Sequence, residues 1–358
     1  MAQFDFTTVS GAEQVRGQCS LAIDKNGKPW IACALKGGTV MVARKDGGAW
    51  VREQPNVPLA SSDEDVVQLR VDSAGQPHLG YIEGDTRRLV HAMRKPDSTW
   101  TYEHVPTHVA PHQPIVFGAS FALHPGAPTS PDLRDTPHFA FENQALETLS
   151  YVRRIGGTWK LSHAAEAQHF GDAGNSRTGQ STSLCFDESG GLQIAYVETY
   201  EVVPTTVVHV KRVLNVVEGT FGDERDVEKG QFFVGRTSVI SQTPQTWVAY
   251  CDVKNLDLKA GTFTSDGVGD VEVVESVTAR TVPVLAQNPA IGGELSRRLR
   301  IAYADDGKIK LASRSVFGWT VGVVDPAGGT MPGLAYDNQG KAHLAYAVGQ
   351  TLRYAVEG

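Results

Sequence analysis

Eleven histidines give this chain its main capacity to move protons near neutral pH. Five of them, His104, His108, His112, His163 and His169, crowd into two stretches rich in small and polar residues. Tyr200 adds a phenol, and Arg70 and Arg177 add permanent cations. With nearby carboxylates, such groups suit proton transfer or the recognition of a polar ligand. The 104, 108, 112 spacing imitates the step of a metal-binding helix. Pro106, Pro111 and Pro114 interrupt it, so a regular helix cannot form there. The sequence therefore assigns no metal and no cofactor.

The elements that must position these residues form a repeat. Seven segments share a polar or large residue, an aliphatic, Ala or Gly, usually an aromatic, any residue, and often an acid. Four run from Trp30, His78, His138 and Gln193, ending at Leu35, Glu83, Asn143 and Glu198. Three more run from Trp247, Arg300 and His343, ending at Asp252, Asp305 and Val348. Alternation of period two predicts strands. Turns such as those at Asp24-Lys-Asn-Gly27 and Asp72-Ser-Ala-Gly75 predict tight hairpins before these strands. A third strand follows each, and a fourth opens on an aromatic, as at Trp50, Trp100, Trp159 and Trp319. Four strands at a spacing near 50 residues predict propeller blades.

The last repeat has only three strands, and the residues from Phe4 to Val9 read as the missing fourth. The expectation is one all-β, seven-bladed β-propeller over 1–358, closed by its N-terminal strand. Blades are placed at 18–57, 66–105, 119–163, 181–228, 236–275, 287–324 and 331–356, the last completed by 1–10.

The D-x-x-G-x-x-H-x-x-Y turns, seen from Asp72 to Tyr81 and from Asp337 to Tyr346, with the blade-ending G-x-W seen from Gly48 to Trp50 and from Gly157 to Trp159, resemble BNR-like or sialidase-like bacterial propeller repeats. The resemblance implies a scaffold. The complete Asp-box is absent and no sialidase arginine triad can be assigned, so sialidase activity does not carry over.

The repeat also separates scaffold from site. His78, His138 and His343 share a slot with Trp30, Gln193, Trp247 and Arg300, which makes them scaffold. His91 and His209 share a third-strand slot with Tyr151 and Tyr354, and read the same way. The strand-opening tryptophans read as blade packing. Arg70 breaks a slot otherwise filled by small residues, so it is either a buried ion pair or a ligand contact. Repetition favours a scaffold role for the acids ending the second strands. The alternative, kept for Glu83, Asn143 and Glu198, is hydrogen bonding to ligand hydroxyls.

Composition narrows the partners. A net charge of −7 with no basic run argues against nucleic acid, and no apolar stretch approaches bilayer length. The four separated cysteines read as buried thiols. The N-terminal residues lack the pattern of a signal peptide. Location stays open between the cytoplasm and a secreted chain already trimmed.

Long connections at 106–118 and 164–180 expand one end of blades 2 to 4, where function tends to reside. The leading reading is a single site for a carbohydrate or other polar small molecule there. In its enzymatic form, a lyase or hydrolase, His112, His163 or His169 is acid/base and Tyr200 assists. Arg70 or Arg177 then neutralises substrate charge. The alternatives are a multivalent lectin and a protein-interaction scaffold.

Overall fold

The computed structural model describes residues 3–9, 14–61, 66–84, 86–107, 116–127, 130–167, 176–200, 205–230, 234–242, 245–264, 267–291 and 295–358. Among these residues the chain forms seven antiparallel sheets of four strands, each a meander in which sequence neighbours pair. The fold is a seven-bladed β-propeller. Among the described residues, only Pro131–Leu133 and Leu295–Arg298 make helical turns. Six blades use four consecutive strands. The seventh joins Thr330–Tyr336, Ala342–Val348 and Thr351–Glu357 to the N-terminal strand Phe4–Thr8. Phe4 stands opposite Glu357 and Thr8 opposite Arg353, so the sheet edge of the last blade is covered as the sequence arithmetic requires.

The chain divides into two compact units. One comprises Met1–Thr86, Val90–Glu103 and Val277–Gly358, the other Arg87–Leu89 and His104–Ser276.

In the first unit the turn motif has a direct physical cause. Asp72 Oδ1 accepts the Gln76 amide at 2.7 Å, and Asp337 Oδ1 accepts those of Gln339 and Lys341 at 2.9 Å. Gly75 and Gly340 supply the left-handed backbone, at φ +87° and +81°. The second aspartate oxygen meets the histidine of the motif, Asp72 to His78 at 3.4 Å and Asp337 to His343 at 3.3 Å. The opposite ring nitrogen of His78 faces His91 at 3.0 Å, and that of His343 faces the Tyr354 hydroxyl. These histidines lock a hairpin to the third strand. Trp50 packs edge-on against Tyr354, with centroids 5.0 Å apart. The four cysteines form no disulfide, and burial pushes the Cys19 thiol up to about 12.

Two candidate residues of this unit separate. Arg70 stands opposite His78, beside the Asp72 turn, and donates to the Leu69 carbonyl at 2.8 Å. Glu83 follows the far end of the strand Pro77–Ile82, where it accepts from Thr86. The five residue steps of extended chain from His78 to Glu83 span roughly 16 Å. The backbone turn thus places Arg70 at the end of its blade away from Glu83. Asp305, in blade 6, is closed by Lys310 at 2.8 Å and by the amide and hydroxyl of Thr278, each at 2.7 Å.

Candidate functional site

The site is built within the second unit, from blades 3 and 4. Blade 3 comprises Val116–Leu123, Pro137–Asn143, Thr148–Ile155 and Thr158–Glu166. Blade 4 comprises Ser176–Phe186, Leu192–Tyr200, Thr205–Asn215 and Thr220–Gly230. Their first strands begin at Val116 and Ser176, ahead of the expected 119 and 181. Bulges after Phe117 and Arg177 let pairing continue past the regular repeat.

Strand alternation assigns each side chain to a face. In blade 3, His138, Ala140 and Glu142 share one face, and Phe139, Phe141 and Asn143 share the other. In blade 4, Tyr196, Glu198 and Tyr200 share a face. Ala140 and Tyr151 of blade 3 pack in one apolar cluster with Ile194 and Tyr196 of blade 4. The Glu142 face of blade 3 therefore meets the Glu198 face of blade 4. Gly179 sits in this seam at φ +84°, where a Cβ would stand 2.9 Å from the Leu149 Cα. Only glycine permits that approach.

Glu198 is the centre of the polar cluster and is 3% exposed. It accepts from the Ser176 hydroxyl and from the Tyr200 phenol at 2.9 Å, and it faces His209 Nε2 at 3.2 Å. Burial pushes its carboxyl up, but the hydrogen bonds from His209, Ser176 and Tyr200 outweigh burial and hold it below the usual range. Tyr200 moves the other way: burial, then the Glu198 carboxylate, push its phenol up, so it keeps its proton.

His209 continues the cluster. It stacks on Tyr196 with centroids 5.0 Å apart, and its Nδ1 lies 3.0 Å from Asp226 Oδ1 and 3.6 Å from Glu224 Oε1. Tyr196 donates to Glu224 Oε2, with Lys211 3.8 Å away. Burial and then Asp226 raise the Glu224 carboxyl. Beside the cluster, Arg177 Nε meets buried Glu142 at 2.6 Å while much of its side chain stays in solvent. Arg177 and Arg87 also stand over the Phe117 ring, at 5.8 and 4.0 Å.

The sequence candidates fare unequally. Tyr200 and Glu198 come together, while Arg177 pairs with Glu142. His112 and His169 lie outside the described residues. His163 stands opposite Ser150 in the sheet, with Nδ1 3.3 Å from the Ser150 hydroxyl. Ser150 in turn stands opposite Phe141, so His163 is exposed on the face of blade 3 turned away from Glu198. The strand register does not bring it together with Tyr200. Asn143 shares that other face. It is fully buried, donates to the Thr107 carbonyl at 3.1 Å and accepts from the Leu146 amide, and so anchors the adjoining loops.

Sequence reasoning missed Glu142, Glu224 and Asp226, and it misread His209. Tyr151 and Tyr354 stand opposite Ala140 and Ala345, whereas His209 stands opposite Tyr196. The third strand of blade 4 is one residue out of register, and that slip turns His209 onto the opposite face from its apparent counterparts. The extended segment after Glu198 is the available signal.

No protein family matches the chain, and no curated protein matches it. Solved structures do. The SapL1 lectin in complex with alpha methyl fucoside superposes with a TM-score of 0.53 at 12% identity, covering 87% of this chain and 97% of that one. A protein of unknown function from Dyadobacter fermentans gives 0.52 at 10% identity, covering 99% and 97%. A point mutant of the Aleuria aurantia lectin, in complex with Fucalpha1-6GlcNAc, gives 0.50 at 11% identity, covering 88% and 98%. Identities this low establish likeness of fold alone, and the sialidase-like resemblance rests on the repeat motifs.

Proposed function

We propose that this chain binds a carbohydrate at one principal site, in the seam between blades 3 and 4. The observation that carries the reading is the treatment of Glu198. Its counterparts Asp252 and Asp305 are closed by lysines. Glu198 is instead held by a hydroxyl, a phenol and an imidazole. Oriented neutral donors around a carboxylate match the alternating donors and acceptors of a polyol, and a few convergent polar groups are what a ligand site needs. The lectins among the similar structures add a saccharide precedent on this fold.

Binding has more support than lyase or hydrolase chemistry. The Tyr200 phenol keeps its proton and so cannot serve as a base near neutral pH. Arg177 is already neutralised by Glu142 and offers little unpaired charge to an acidic substrate. The sites of a multivalent lectin would recur in each blade, and the lysine-closed slots of blades 5 and 6 differ from blade 4.

A panel of neutral and acidic saccharides, methyl α-fucoside included, tests the reading by array and then calorimetry. One saccharide per chain is expected, with loss of binding in Glu198→Gln and Arg177→Ala. Several equivalent sites per chain would overturn the single site, and binding of no saccharide would overturn the ligand class.

A further inference from the structure

The geometry points to a transition-metal site in blade 4, in which His209 Nδ1, Glu224 and Asp226 bind one divalent cation of the zinc type. His209 is 3% exposed, and its Nε2 faces the Glu198 carboxylate at 3.2 Å, an acceptor for a proton on Nε2. In that tautomer Nδ1 presents a lone pair. It is buried and has no hydrogen-bond partner, although Asp226 Oδ1 lies 3.0 Å away and Glu224 Oε1 3.6 Å away. Two carboxylates facing a lone pair repel it unless a cation lies between them.

The position of Asp226 distinguishes a metal from a proton. A proton on Nδ1 needs its acceptor nearly in line. Asp226 is close enough but off that line, so no hydrogen bond forms. A metal needs its donors spread about it. Two donors each about 2.1 Å from an ion, at tetrahedral or octahedral angles, stand roughly 3.0–3.4 Å apart and off the nitrogen axis. Asp226 meets that requirement, and Glu224 needs a shift of only a few tenths of an ångström.

The supporting contacts have the same logic. Tyr196 and Lys211 engage Glu224 Oε2 and leave Oε1 turned to His209. Glu198, braced by Ser176 and Tyr200, orients the imidazole through Nε2. Metal-bound histidines commonly donate their other nitrogen to a carboxylate in this manner. The donor atoms within 4.8 Å of one another are those of Glu198, His209 and Glu224, and Asp226 joins them through its 3.0 Å approach to Nδ1. One imidazole with two carboxylates favours zinc or manganese over calcium or magnesium, which take oxygen donors. The half-exposed side chain of Asp226 gives the ion an open approach.

The test uses the full chain, stripped with a chelator and titrated with Zn²⁺ without any saccharide, so that it reads independently of the carbohydrate site. Calorimetry and elemental analysis should find one Zn²⁺ per chain and a raised melting temperature, with Mg²⁺ far weaker. Asp226→Asn and His209→Gln should each weaken Zn²⁺ binding at least tenfold, and Glu198→Gln about 10–100-fold through loss of orientation. Asp226 is exposed enough that its variant folds even if His209→Gln does not. Wild-type chain that takes up no stoichiometric Zn²⁺, or an Asp226→Asn variant that binds it unchanged, overturns the site.

Discussion

Glu198 in blade 4 and Asp252 in blade 5 fill the same slot, near the end of a second strand, yet they are used differently. Blade 5 comprises Val234–Gln242, Gln245–Asp252, Asp257–Thr264 and Gly267–Ser276. Asp252 is fully buried and meets Lys259 at 3.2 Å, while its oxygens cap the Lys254 and Asn255 amides at 3.1 Å. Lys259 also reaches back to Glu228 of blade 4 at 2.8 Å, and Tyr250 donates to the same carboxylate. One lysine there serves two acids, and the three together join one blade to the next. Around Glu198 the acids Glu224 and Asp226 outnumber the cations, and the donors are neutral hydroxyls. One slot is closed by a lysine, and the other is held by hydroxyl and imidazole donors without a lysine.

The largest test of this contrast acts on blade 5. Lys259→Met should destabilise the fold by about 3–5 kcal/mol, because it leaves Asp252 buried without its cation. Denaturant titration measures the loss. A change below about 1 kcal/mol would mean that the pair is not structural. The same pair predicts a pH dependence. Burial pushes the Asp252 carboxyl up, but the Asn255 and Lys259 contacts prevail and hold it below its ordinary value. A folded-state value below the unfolded one means stability that is present above about pH 3.9 and lost as pH falls through the lower value. Asp252→Asn should flatten acid unfolding below about pH 4.

The middle test acts on blade 4. Glu198→Gln should reduce saccharide affinity roughly tenfold to hundredfold, the range for one charge-assisted hydrogen bond. Stability should change far less than in Lys259→Met, since the change removes a charge from an acid-rich cluster. A large stability loss with unchanged affinity would make Glu198 a second Asp252 and abolish the distinction.

The repeat made the scaffold legible. Hairpin aspartates, left-handed glycines and the displaced N-terminal strand all lie in plain sequence pattern, because backbone geometry imposes them in each blade. The site was only partly legible. Tyr200, Glu198 and Arg177 stand out through loop length and register, but His209 looked like another scaffold residue. Its meaning depends on a one-residue slip between strands, and side-chain identity in one strand cannot report its pairing with the next. Glu142 was hidden for a related reason. It precedes the slot residue Asn143, and only the packing of blade 3 on blade 4 reveals that its face, not that of Asn143, meets Arg177.

The smallest expected effect belongs to His163, and it sharpens the boundary of the site. By sequence it is as good an acid/base candidate as any, since it is a histidine outside the repeat register beside a long connection. By structure it is exposed on the far face of blade 3, with the Ser150 and Thr148 hydroxyls near its ring, at 3.3 and 3.4 Å. Surface substitutions away from buried networks usually change stability by no more than about 0.5 kcal/mol. His163→Ala should therefore leave both the melting temperature and saccharide affinity close to those of the parent chain, while Glu198→Gln in the same assay loses affinity. Calorimetric titration of the two variants side by side makes the comparison. A tenfold loss of affinity in His163→Ala would place the ligand on the outer face of blade 3 and move the site away from the seam with blade 4.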